Sequence, residues 1–134
     1  MVVVDANVLA YLFLTGDRTE QAQALFAKDC DWRSDAFILV EFTNVLTTSM
    51  RARRLPESDA AALLSTAESM LRDRLQFVSH ADALRVAARF GVSAYDARYL
   101  AVCQVLGRKL VTEDGKLRAA APSLTMSISE SLLE

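Results

Sequence analysis

The sequence predicts a three-layer α/β/α sandwich built on a mostly parallel central sheet, in one domain over residues 1–134. Three observations lead to that fold class. Val2-Val3-Val4-Asp5 is a continuous β-branched run, the pattern of a strand buried on both faces in the middle of a parallel sheet. Short apolar runs then alternate with longer stretches of helical period, in the order β-α-α-(β)-α-α-β-α-α-β-α-β that crossover connections produce. The 134 residues, 52% of them hydrophobic, contain no repeat, low-complexity tract or linker, as suits a single domain.

Each element follows from its punctuation. After strand 2–5, Asn7 is placed to cap a helix carrying Val8, Leu9, Tyr11, Leu12 and Leu14, which Gly16 ends. Asp17 or Thr19 begins a second helix, with Ala22, Leu25 and Phe26 on one stripe. A short extended piece is expected around Trp32. Residues 36–54 read as a long helix stopped ahead of Pro56, because the residue before a proline is pushed out of helical geometry. Ser58 opens another helix to about Arg74, and Leu75–Val78 reads as a strand. Ser79 or His80 caps a helix through Phe90 that Gly91 terminates, and Ser93 caps the next, terminated by Gly107. Lys109–Thr112 is then a strand, Glu113–Ala119 a short helix and Thr125–Ser127 a last strand.

Composition narrows the function classes. A chain of this size buries roughly 70% of its unfolded surface, so a core forms without disulfides. Cys30 and Cys103, far apart in sequence, make neither a disulfide framework nor a metal pair. No apolar run approaches the ~18 residues of a membrane span and no targeting signal is evident, so a reducing cytoplasm is the expected compartment. The net charge of −2 and pI of about 5.4 argue against a constitutive, non-specific nucleic-acid binder, which is usually basic. They leave room for a nucleic-acid enzyme whose own site is acidic and filled by divalent cations. Arg51, Arg53 and Arg54 read most simply as the solvated end of a helix, where cations complement the dipole.

Four acids stand in apolar settings. Asp5 ends the first strand, where open α/β sheets place their ligands, and a lone carboxylate buried there needs a partner, a proton or a cation. Glu41, the only charge in Phe37–Leu46, falls beside the apolar stripe of its helix, near Ile38 and Val45. Asp96 stands three residues after Ser93, as in a capping box, yet shares a face with Tyr99, Leu100 and Cys103. Asp114 follows the apolar strand 109–112, so its strand end lies on the same sheet edge as Asp5. Each acid alone has an ordinary reading as a helix cap or boundary charge. Those separate readings do not explain their convergence on one edge. Asn7 and Thr112 lie close enough to orient carboxylates or bound water, although a cap and a strand-end hydroxyl are equally natural readings. Oxygen ligands alone select hard cations, Mg²⁺ or Mn²⁺, over zinc. His80, the only histidine, reads as a helix cap or surface residue, so no Ser-His-Asp or Cys-His device is evident.

These residues carry a resemblance. Val3-Val4-Asp5-Ala6-Asn7-Val8-Leu9, Glu41-Phe42-Thr43-Asn44-Val45-Leu46, Tyr95-Asp96-Ala97-Arg98-Tyr99-Leu100-Ala101 and Leu110-Val111-Thr112-Glu113-Asp114-Gly115-Lys116-Leu117 resemble the signature segments of PIN-domain proteins, in the right order. Asp31-Trp32-Arg33-Ser34 and the helix after it resemble the VapC-type toxins of bacterial toxin–antitoxin pairs. The resemblance implies a Mg²⁺- or Mn²⁺-dependent endoribonuclease with Asp5, Glu41, Asp96 and Asp114 as the metal-ligand acids, Asp5 and Asp96 central. It implies hydrolysis by water, leaving a 5′-phosphate and a 3′-hydroxyl. It also implies a homodimer and a small antitoxin partner. Asp35 departs from the pattern, where relatives often have proline. Among other functions, a haloacid-dehalogenase-type phosphotransferase wants an acid where Asn7 stands, and a receiver-like domain wants a lysine at a late strand end, whereas Lys109 begins its strand. A catalytically silent PIN fold acting as a binding module is the remaining alternative.

Overall fold

The computed structural model describes residues 1–134 and bears out the layered α/β/α architecture. Strands β1 (Val2–Val4), β2 (Trp32–Asp35), β3 (Leu75–Gln76), β4 (Leu110–Val111) and β5 (Thr125–Met126) form a five-stranded sheet in the order β3-β2-β1-β4-β5. Every pairing is parallel. The central strands β1 and β4 are wholly buried, as their unbroken apolar sequences require.

Helices α1 (Ala6–Phe13), α2 (Thr19–Lys28), α3 (Ile38–Arg51) and α4 (Glu57–Leu71) join β1 to β2 and β2 to β3. Helices α5 (His80–Phe90), α6 (Ala94–Leu106) and α7 (Gly115–Ala120) connect the strands in the opposite lateral direction, β3 to β4 and β4 to β5. Right-handed crossovers therefore put the two groups on opposite faces of the sheet. Contacts of α1 with α2 and α3, and of α6 with α5, β1, β2 and β4, agree with that division. A last helix, α8 (Ile128–Leu132), not expected from the sequence, packs on α2. Its start is a complete capping box between Ser127 and Glu130.

Most local expectations hold. Ser79 and Ser93 cap α5 and α6, and Gly91 and Gly107 end them at φ +67° and +65°, left-handed values that a side chain resists. Others need correction. The cap of α1 is Asp5 and not Asn7: strand β1 ends one residue early, Asp5 is extended, and its Oδ1 accepts from Val8 N at 3.0 Å. Asn7 is left exposed in the first turn. Similarly, α7 begins after Asp114, which is its cap rather than a helical residue. The long helix begins at Ile38 because Asp35 belongs to β2 and Ala36-Phe37 form a turn. Strand β3 is two residues long, shorter than 75–78. No helix is long and apolar enough to cross a membrane.

Candidate active site

Sheet register builds the site. Val3 pairs with Leu110 and Val4 with Val111, so Asp5 and Thr112 emerge side by side at the carboxyl tips of β1 and β4. From β1 the chain runs outward to β2, and from β4 it runs the opposite way to β5. Their junction is the topological switch point, where parallel strands splay their connections apart and leave a crevice. Thr112 Oγ1 donates to Asp5 Oδ2 at 2.6 Å and accepts from Asp114 N at 3.1 Å, linking the two acid-bearing segments through one buried hydroxyl. Asp114 Oδ1 accepts from Lys116 N and Leu117 N, which fixes the carboxylate at the start of α7.

The other two acids come from helices on opposite faces. Asp96 lies in the first turn of α6, where its N–H donates to Ser93 Oγ at 3.0 Å. Only that half of a capping box forms, so the Asp96 carboxylate is not consumed by the cap, in contrast to Glu130. Glu41 is half-buried in the first turn of α3, at the edge of the core as its helical phase required. Its Oε1 accepts a hydrogen bond from the Tyr99 hydroxyl, reaching across from α6.

The electrostatics bind the acids into one group. Burial pushes the Asp5 carboxyl up to about 6, against the pull of its bonds from Thr112 and Val8, and the charges of Asp96 and Glu41 add to the rise. Asp96 is raised as well, by burial first and then by Asp114, with the Ser93 hydroxyl opposing. Tyr99 is held protonated by burial, by its bond to Glu41 and by the charges of Glu41, Asp5 and Asp35. All seven ion pairs of the protein lie elsewhere: none includes Asp5, Glu41, Asp96 or Asp114. As the side chains stand, no three of them gather around a common point at ligand distance. Asp5 Oδ1 and Oδ2 each accept only one bond, and a carboxylate oxygen has a second lone pair to give. The fit to a hard cation therefore lies in the donor chemistry and the unneutralised charge.

The PIN-domain family profile matches residues 2–122, which include all four acids. The chain belongs to the PIN-domain family. It is 31% identical over 126 residues to Ribonuclease VapC3 of Pyrobaculum aerophilum, covering 91% of this chain and 95% of that one. That kinship makes it a VapC-type PIN domain. The crystal structure of PAE2754 from Pyrobaculum aerophilum has the same fold, with a TM-score of 0.74, 23% identity, and 98% and 93% of the two chains covered.

Several groups of this PIN domain were not foreseen. Asp35 is buried at the tip of β2, where Oδ2 accepts from Phe37 N at 2.7 Å, Oδ1 from Val78 N at 3.0 Å, and Arg98 stands 3.8 Å away. It holds the turn into α3 by side-chain hydrogen bonds, a task proline would meet by fixing the backbone. Arg98 Nη2 also meets His80 Nδ1 at 2.7 Å, and His80 is an exposed residue in the first turn of α5. Tyr99 had a signal, being three residues after Asp96 on the same helical face. The partner of its hydroxyl, 58 residues away, had none. Cys103 is buried and its thiol is pushed up to about 12, so it is no nucleophile.

Proposed function

We propose that this PIN domain is a Mg²⁺- or Mn²⁺-dependent endoribonuclease, the toxin of a toxin–antitoxin pair. One observation supports the reading: around the switch point of a parallel sheet, Asp5 feels the charges of Asp96 and Glu41, Asp96 feels that of Asp114, and none of the four is in an ion pair. Such a cluster is costly to a protein that does not use it. When bound, the cation supplies charge neutralisation at the scissile phosphate and a more acidic water. Asp5 and Asp96 would hold it centrally, with Glu41 and Asp114 completing the site directly or through water. Thr112 orients Asp5 through its 2.6 Å hydrogen bond, and Tyr99 orients Glu41. Asn7, exposed in the first turn of α1 two residues after Asp5, is placed to meet water or the RNA. Water as nucleophile leaves a 5′-phosphate without calling on the ribose 2′-hydroxyl. The experiment is end-mapping of RNA cut by the purified protein: 5′-phosphates and loss of activity in EDTA support the reading, while cyclic 2′,3′-phosphates or full activity in EDTA refute it.

The relative named Ribonuclease VapC3 supports both the ribonuclease and the toxin class. A homodimer is part of the proposal. It is supported by an uncovered apolar face of Phe37, Val40, Phe77, Leu84 and Tyr95 around a groove of about 570 Å³, with Phe77 83% exposed. Light scattering that gives only 14.7 kDa across micromolar concentrations would refute the dimer. The antitoxin is proposed to lay apolar anchors in a groove and to send a basic side chain to the acids; copurification with a small basic protein tests it. Unpaired Cys30 and Cys103 suit a reducing cytoplasm.

A further inference from the structure

We infer that Arg18 is a backbone-phosphate contact for the RNA strand entering the acid site, an inference that rests on the nuclease reading. Arg18 lies on the turn between α1 and α2, a turn braced by Thr19, whose Oγ1 accepts from Gly16 N at 2.9 Å and donates to Leu14 O at 2.9 Å. The turn walls a groove of about 420 Å³ lined by Asn7, Tyr11 and Arg18 together with Val45 of α3. The groove is thus lined both by Asn7, two residues after Asp5, and by the Arg18 guanidinium, with the Asp17 carboxylate beside it. Tyr11, which also lines it, has its phenol raised by burial first, with Arg18 opposing and Asp5, Glu113 and Asp114 adding to the rise, so the cation and the acids act on a single phenol.

The way Arg18 is held favours a phosphate as its missing partner. Nη1 donates to Glu113 Oε1 at 2.6 Å, and no other hydrogen bond occupies the guanidinium, which has five donors. Its side chain is 44% exposed, while that of Glu113 is 9% exposed. Glu113 Oε2 is buried with no hydrogen-bond partner at all. A pair built for stability would engage both carboxylate oxygens in the parallel fork that Arg and a carboxylate readily form. Here one edge of the fork is tethered and the guanidinium lies over the Tyr11 ring at 5.9 Å, which leaves its remaining N–H donors without a hydrogen-bond partner. Glu113 immediately precedes Asp114, so the tether spans 95 residues of sequence to hold the cation beside the acid loop. An acidic site repels a polyanion on approach, and a rim cation with free donors offsets that repulsion where the strand must pass.

Binding of a short fluorescent oligoribonucleotide of mixed sequence, followed by anisotropy against salt on the Asp96→Asn background, tests this without cleavage. Arg18→Gln is expected to weaken binding about tenfold at fixed salt and to lower the log–log salt slope by about 0.7, the value for one phosphate contact on a single strand. Arg18→Lys restores the slope and part of the affinity. Glu113→Gln releases Arg18 without removing its charge and keeps the slope. A mere brace between the turn and the acid loop predicts the reverse: Arg18→Gln and Glu113→Gln fail alike in thermal stability and the slope stays put. Should Arg18→Gln fold poorly, Arg18→Gln with Glu113→Gln leaves no unpaired charge behind and decides the matter. Wild-type affinity and slope in the variant lacking Arg18 would overturn the inference, including the case where only a protein partner is lost. Parent protein without Mg²⁺-dependent cleavage would overturn the nuclease reading instead.

Discussion

Replacing Asp5 with Asn separates a functional carboxylate from a structural cap. Asp5 is 7% exposed, and burial raises its carboxyl from the ordinary 3.8 to about 6. A raised folded-state value means that the protonated form folds better. The associated stability is fully present below about 3.8 and is lost as pH rises through about 6. At 1.36 kcal/mol per pH unit, that interval corresponds to roughly 3 kcal/mol of charge penalty at pH 7.5. Asn keeps an oxygen for the Val8 N–H and carries no charge, so Asp5→Asn escapes the penalty. Its stability relative to wild type should therefore rise between pH 4 and pH 7.5 by roughly 2.5 kcal/mol, about 10 °C in Tm for a chain this size. Mg²⁺ should narrow the gap by stabilising wild type through mass action, and the variant should respond far less. RNA cleavage should be lost. The assay is thermal melting at both pH values, with and without Mg²⁺, beside a cleavage gel. A variant whose relative stability is the same at both pH values, or one that still cuts RNA, would refute this account of Asp5.

Asp96→Asn should abolish cleavage with Tm unchanged or raised without Mg²⁺, since the Ser93 cap uses the backbone N–H and not the carboxylate; full activity in a cleavage assay would remove Asp96 from the site. Tyr99→Phe deletes only the hydroxyl that positions Glu41 and should cost about 1 kcal/mol in urea unfolding and about tenfold in kcat; an unchanged rate would make Tyr99 a packing residue alone. Asp35→Ala strands two backbone N–H groups and the Arg98 charge, so a loss of about 3 kcal/mol is expected in urea, with Asp35→Asn milder; equal losses would show that the charge, not the hydrogen bonds, carries the role.

Much of the fold was readable because its signals are local. A β-branched run, serines ahead of apolar stripes and glycines after them act within a few residues, and they placed α5 and α6 closely. Where local readings competed, the fold chose among them. Asn7 and Asp5 are both plausible caps for α1, and the end of pairing between β1 and β4 gave the place to Asp5. The four candidate acids stood out as charges at the edges of apolar segments. Nothing local showed that one hydroxyl, Thr112, would join Asp5 to the Asp114 backbone across more than a hundred residues.

The sequence by itself determined which segments become strands and helices, and that acids sit at their carboxyl tips or first turns. Hydrophobic period and backbone preference are properties of a few neighbouring residues. Only the tertiary structure decided which of the seventeen acids stay uncompensated. Asp31, Asp35 and Glu113 look no different from Asp5 along the chain, yet each meets an arginine brought near by the fold, Asp31 from 43 residues away and Glu113 from 95. Neutralisation and burial depend on charges that sheet order and helix layering bring together, and these long-range terms left Asp5, Glu41, Asp96 and Asp114 out of every ion pair.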